Sequence, residues 1–242
     1  MTTLIVSAFF KIPSKKPYIF YYEQLSRWFR SIRAPVLFFT TPDVWVDILA
    51  MGYNLSHVQF IFLSLEDCRG WEWGREFWER QLHRDSEKYH TPELAVMWYE
   101  KKEFVRRAME IRHADILIWC DAGCIRNDRL EQQGKDFGMR EHPLLNNGTL
   151  HVQYIREQPY RPTYSYPEYR FACGIMAGNQ AAWNIYHDLY RHMLVEYDFQ
   201  GVSCNSDQYI TASCYDLYPD GFTCHYPDEN HPDPWCVLLG AI

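Results

Sequence analysis

The chain has no apolar run approaching the roughly 20 residues that a membrane-spanning helix needs. It also lacks a basic stretch followed by a long apolar segment and a cleavage site, so no secretory leader is read. Met1-Thr2-Thr3 runs straight into the strand-like Leu4-Ile5-Val6, and a cytoplasmic setting is expected. A surplus of positive charge is missing too. Lys and Arg number 24 against 31 Asp and Glu, for a net charge of −7, which argues against a large nucleic-acid footprint. No C-x-x-C pair occurs among the eight cysteines, so a structural zinc site is not expected. Several, such as Cys120 and Cys173, sit in apolar or small-residue runs and read as reduced, buried thiols. No internal repeat or low-complexity block is present.

What remains is an ordinary globular composition over 242 residues, enough for one large α/β domain or two small ones. Aromatic residues are abundant at 17%, more than a core of this size hides. Some of the nine Trp and eighteen Tyr are therefore expected in clefts, where rings hold sugars or bases.

One stretch organises the rest. Ile116-Leu117-Ile118-Trp119 reads as a buried strand that ends in a carboxylate, Asp121, with Gly123 two residues on. In open α/β sheets ligands bind outside the carboxyl ends of strands. An acid there needs a partner, because burying it alone costs several kcal/mol. Asp121 thus reads as an anchor for a cation or a substrate hydroxyl, or else as a turn residue.

Leu4–Phe10, Val36–Thr40 and Val58–Leu65 read as further strands. Helical spacing over 18–33 lies between the first two, and 44–51 forms a short helix. An aromatic helix is read over 71–83. Thr91-Pro92-Glu93 opens another over 91–112, with Thr91 as N-cap. The expected fold is α/β, with a mainly parallel sheet and helices on both faces. Composition shifts near Gln132, dividing the single domain into a nucleotide-sugar-binding half (1–131) and an acceptor-side half (132–242). In the second half Phe171–Ala177 reads as a strand, Gln180–Tyr197 and Asp207–Leu217 as helices. The proline-rich tail from Tyr218 reads as loop.

Four segments carry candidate chemistry: Trp119 to Arg126, Trp98 to Lys102, Ala172 to Asn179, and Asn205 to Gln208. In their order and spacing they resemble the HtrL/YibB (WlaTC-type) glycosyltransferase family, over most of the chain. The resemblance rests on Leu4–Phe10, the Lys101-Lys102 helix and the strand ending Trp-Cys-Asp-Ala-Gly-Cys. It extends to the Gly-Ile-Met-Ala-Gly run before Trp183 and to Asp207-Gln208. More distantly the layout is similar to nucleotide-sugar transferases of the GT-A fold, a Rossmann-like domain fused to an acceptor-binding half.

The resemblance implies sugar transfer from a nucleotide-diphosphate sugar to a glycan or lipid-linked glycan, often with Mn²⁺ or Mg²⁺. It implies a donor site at Ala8, Phe9, Lys11, Thr40, Lys102, Asp121, Ala122, Gly123, Arg126, Gly174 and Gly178. Asp207 and Gln208 would stand at the reacting centre, with His225 or His231 joining Asp121 on a cation. GT-A enzymes typically carry Asp-x-Asp at the strand end; here Asp121-Ala122-Gly123 lacks the second carboxylate. Of Lys101 and Lys102, Lys101 reads as the one on a solvated helix face. A non-catalytic sugar-nucleotide-binding module and a metal-dependent nucleotide-sugar hydrolase stay open as alternatives. A hydrolase would be expected to gather a second acidic cluster, and none with convincing spacing is read.

Overall fold

A computed structural model describes residues 1–83, 89–155, 170–202, 206–227 and 233–242. His231 and Asn205 lie outside the described residues. Seven strands form one sheet: β1 (Thr3–Phe9), β2 (Val36–Thr40), β3 (Val58–Phe62), β4 (Ile116–Cys120), β5 (Leu150–Tyr154), β6 (Phe171–Gly178) and β7 (Phe222–His225). Their order is β3-β2-β1-β4-β6-β5-β7. The four strands expected from the first half lie side by side and parallel. β6 runs antiparallel to both β4 and β5, and β7 joins β5 in parallel. The sheet is mixed and mainly parallel, as expected, and it is continuous across the two halves of the chain.

Alternation along each strand sorts the core into two layers. Ile5, Val36, Phe38, Ile116, Ile118 and Cys120 face one side, packed with Trp28 and Phe29 of α1 (Tyr18–Ser31) and Val44 and Ile48 of α2 (Pro42–Ala50). Helices α5 (Asp128–Gly134) and α8 (Val237–Ala241) complete that layer. Leu4, Val6, Leu37, Leu117 and Trp119 face the other side. There α3 (Arg75–Leu82), α4 (Pro92–Ile111), α6 (Gln180–Phe199) and α7 (Asp207–Leu217) cover them. Thr91 caps α4 as its sequence implies, accepting the Leu94 amide at 3.3 Å. Among the described residues no helix is long and apolar enough to cross a membrane.

Three boundaries differ from the sequence reading. β3 stops at Phe62, because Ser64 closes a tight turn by accepting the Asp67 amide. The aromatic helix starts only at Arg75, because Gly74 sits at φ +80° and breaks the chain before it. The tail is not all loop: Phe222 to His225 pairs with Leu150 to Gln153. Its prolines flank that short strand without interrupting it, and four residues are too few to show a period of two.

Gly70 is where backbone and α4 meet most closely. Its amide donates to Glu100 Oε1 at 2.6 Å and its carbonyl accepts the Trp78 indole at 2.8 Å. A Cβ there would stand 2.9 Å from Val96 Cγ1 and 3.4 Å from Val96 Cα. Gly70→Ala is expected to destabilise the fold by about 1–3 kcal/mol. Urea denaturation checks this, and an unchanged midpoint would show that the turn moves freely off α4.

Candidate functional site

Asp121 follows Trp119 by two residues, so its side chain leaves the sheet on the same face, towards α4 and α7. The strand end is clamped: the Asp121 amide donates to Gly174 O at 2.7 Å, and Ser7 Oγ donates to Cys120 O at 2.6 Å. The Trp119 indole donates to Asp121 Oδ1 at 2.7 Å. Facing the carboxylate is Lys101, three residues before Phe104 on the buried side of α4. Its ammonium lies 3.1 Å from both Asp121 oxygens, 3.1 Å from Cys173 O and 2.7 Å from Asp207 Oδ2. The Lys101 side chain is 9% exposed and that of Asp207 2%, whereas Asp121 is 36% exposed and faces the opening.

Burial alone would depress the Lys101 ammonium, but Asp121 and Asp207 together outweigh it and hold its pKa above the usual range. Burial raises the Asp207 carboxyl; the Lys101 charge pulls it back only in part, and Asp121 pushes the same way as burial. The Lys101–Asp207 contact is an ion pair outside good hydrogen-bond alignment. Asp207 Oδ1, Ser206 Oγ and Gln208 Oε1 have no hydrogen-bond partner among the described residues. Buried polar atoms without partners are uncommon and call for an explanation, and Ser206, Asp207 and Gln208 do not line the cavity that Asp121 faces.

The cluster opens into a cavity of about 280 Å³. Ala8 and Phe9 at the end of β1 line it, with Asp121, Ala122 and Gly123 beyond β4. Its walls are aromatic: Phe10, Tyr18, Tyr21, Trp98, Phe104 and Trp119 among others. The expected crevice at the strand ends is therefore present. Thr40 lies two strands from Asp121, roughly 10 Å at ordinary strand spacing. Its buried hydroxyl donates to Phe9 O at 2.8 Å, so it braces the pocket without lining it. Gly174 stands against the site, where a Cβ would meet Asp121 Oδ2 at 3.4 Å.

Other expected residues lie elsewhere. Lys11 is tied to Asp43 and Asp47 at 2.8 and 3.0 Å, outside the cavity. Arg126 is exposed beyond the strand end and does not line the cavity. Gly178 pairs with Leu117, four residues back from Asp121 and roughly 13 Å down the strand. It lets Ala182 and the Thr149 carbonyl pack close, because an antiparallel strand carries its far end away from the crevice. Lys102 is the clearest correction. It turns into the core, over the Tyr99 ring at 3.0 Å, and donates to Tyr99 O at 2.9 Å. The neighbouring Lys101 is the lysine of the site, and its reading as a solvated residue is wrong. Glu100 and Glu103 are buried as well, Glu103 against His187 at 2.7 Å. The sequence signal that this charged run is internal was its flanks, Trp98-Tyr99 and Phe104-Val105.

The donor set for a divalent cation is thin. Among the described residues Asp121 is the single carboxylate lining the cavity, and both its oxygens are already engaged. Gly123 offers no second carboxylate, and a Cβ there would meet open space. His225 is three strands away, roughly 14 Å, bonded to His151 at 2.8 Å. Among the described residues no three His, Cys, Asp or Glu side chains converge as a metal site. The described residues do not make a Mn²⁺ or Mg²⁺ site by themselves.

The sheet order and strand-end site define a GT-A-like α/β fold. No family model matches the chain, and no curated protein matches its sequence. Among solved structures it is similar to mouse xyloside xylosyltransferase 1 in its apo form. The TM-score is 0.53 at 12% identity, over 99% of this chain and 94% of that one. It is less similar to the apo-form glycosyltransferase GlyE of Streptococcus pneumoniae TIGR4. There the TM-score is 0.45 at 12% identity, over 93% of this chain and 45% of that one. At such identities the likeness is one of fold.

Lys102 yields a test of the buried network. Burial pushes its pKa from 10.5 down to about 7, and Glu103 and Glu100 recover only part of the loss. The unfolded chain therefore binds a proton that the folded protein releases across this window, and stability from the neutral amine rises with pH from about 7 to about 10.5. Lys102→Met should remove that slope. Its stability relative to the native chain is expected to be greatest near pH 6.5 and to shrink towards pH 10, measured by urea denaturation. A difference independent of pH would show that Lys102 titrates alike in both states.

Proposed function

We propose that the protein is a glycosyltransferase of the HtrL/YibB type. It takes a hexosyl or pentosyl group from a nucleotide-diphosphate sugar and passes it to a hydroxyl of a glycan or lipid-linked glycan. The observation that carries this is the Lys101–Asp121–Asp207 cluster at the carboxyl end of β4, opening into an aromatic-walled cavity. The GT-A-like fold supports it, and so does the resemblance of the four segments to that family, polysaccharide assembly being its expected context.

In this reading Asp121, fixed by Trp119 and Lys101, accepts hydroxyls of the donor sugar. The aromatic walls take the flat faces of base and sugar. Asp207 is buried beneath Lys101 and does not line the cavity, so it acts on the donor through Lys101 and does not reach out to deprotonate an acceptor. Lys101 holds both carboxylates in place before substrate arrives.

Asp121→Asn is expected to lower transfer by about 10²-fold or more, the scale of losing one preorganised electrostatic contact. It should also destabilise the fold by about 1–3 kcal/mol, because Lys101 loses a partner. Asp207→Asn should reduce turnover more than donor affinity. The assay incubates the protein with a panel of nucleotide sugars, with Mn²⁺ and with chelator, with and without glycan acceptors. Acceptor-dependent release of nucleotide supports the reading. Acceptor-independent release makes the protein a hydrolase, and binding without turnover makes it a binding module. A folded Asp121→Asn variant with an unchanged rate leaves Asp121 as a turn residue.

A further inference from the structure

Among the described residues the cavity is lined by three charged side chains, Lys15, Lys101 and Asp121. Two of them are spent on each other: Lys101 is neutralised by Asp121 and, beneath the floor, by Asp207. Lys15 is different. It is exposed at the rim, in the irregular segment between β1 and α1, and has no carboxylate partner among the described residues. Its ammonium lies 4.4 Å from the centre of the Tyr89 ring, another residue lining the cavity. The segment around it is basic in an acidic protein. Residues 1–22 contain Lys11, Lys15 and Lys16 and no Asp or Glu, against a net charge of −7 for the whole chain.

The neighbouring helix adds to the same field. α1 begins at Tyr18, which also lines the cavity. Its N-cap, Pro17, makes no side-chain cap, and no acidic residue stands in its first turn. A 14-residue helix directs a partial positive charge towards its start. The turn after β4 gives the complementary fact. Gly123, where Asp-x-Asp motifs place a second carboxylate, contributes neither charge nor bulk.

We propose that Lys15, with the start of α1, grips the diphosphate of the nucleotide sugar, so that donor binding does not depend on a divalent cation. The proposal rests on the donor-site reading of the cavity and deepens it. A diphosphate carries charge on both phosphates, and a cation must offset that charge for it to enter an apolar cleft. Enzymes with two strand-end carboxylates hold a metal for that purpose. Here Lys101 and Trp119 occupy the one carboxylate that lines the cavity among the described residues, and Lys15 is the lining cation without a carboxylate partner among them. A lysine serves as a point charge on phosphate without fixed geometry, which suits an exposed segment.

The test uses the full chain and calorimetric titration with UDP, GDP, ADP and CDP, with uridine and guanosine, and with inorganic pyrophosphate. Each is run in chelator and in Mn²⁺. Native protein is expected to bind at least one nucleoside diphosphate in chelator, and Lys15→Gln to weaken that binding about tenfold. Lys15→Arg should restore it, nucleoside binding should be unchanged by either variant, and the native affinity should fall with added salt. Lys15→Gln binding the diphosphate as tightly as native protein would overturn the proposal while leaving the donor site intact. A diphosphate bound only when Mn²⁺ is present would do the same. Absence of any nucleotide binding in either buffer would overturn both this proposal and the donor-site reading. Lys15 is exposed, so the variants are expected to keep the native thermal midpoint, and that measurement accompanies the titrations.

Discussion

The placement of one ammonium group governs the site. Taking a lysine nitrogen out of water costs several kcal/mol unless it is paired, and Lys101 is paired three times. Its partners come from different parts of the chain: the end of β4, the start of α7 and a carbonyl of β6. Remove that charge and two carboxylates would confront each other across the gap it fills. With it in place, Asp121 cannot swing towards solvent, because the Trp119 indole holds its other side. The cost of burying the charge thus becomes rigidity in Asp121, the one acid among the described residues that faces the cavity.

The parts of the fold that were legible in the sequence are those with local causes. The β4 strand was readable because an apolar run ends abruptly at an acid, and α4 because Thr91 and Pro92 announce its start. Asp121 was readable as an acid at the strand end for the same reason. Which of two adjacent lysines serves it was not. Successive helix positions differ by about 100° in direction, so Lys101 and Lys102 face different neighbours. Periodicity decides such cases when a helix has a polar face, but α4 is buried on nearly all sides at Glu100 through Glu103. The partners that make those charges tolerable lie on α6, α7 and the turn at Gly70, far away in sequence.

The same limit explains the glycines and the histidine. Gly174 and Gly178 are four residues apart in one short run and look equivalent. Strand direction separates them: β6 runs against β4, so Gly174 meets Asp121 while Gly178 meets Leu117 at the opposite end. His225 sits at the correct end of the sheet but on its last strand, where burial and the His151 ring take it up. Burial and that neighbour hold His151 down at a pKa of about 4, and burial lowers His225 as well. At neutral pH both rings are uncharged and share one proton between facing nitrogens. Position along the sheet, which depends on every pairing in it, was not readable from any single segment.

The two faces of the sheet carry different loads, and Asp121 stands where they meet. Cys120, one residue earlier, points into the apolar layer, where the Trp28 indole approaches its sulfur at 3.3 Å. Asp121 points into the layer that holds nearly all the buried charge. β4 is the fourth of seven strands, so its end is held from both flanks and from both faces. The wall around Lys15 is built otherwise: Ser14 and Lys15 come from an irregular segment and are exposed, with Ile12 partly buried. In the proposed transferase the rigid floor would fix where the reacting carbon sits, to the tolerance catalysis requires, and that wall would meet the phosphate-bearing group above it. Changes of donor preference are therefore expected to follow substitutions between residues 11 and 18, and loss of activity to follow substitutions on β4, α4 and α7.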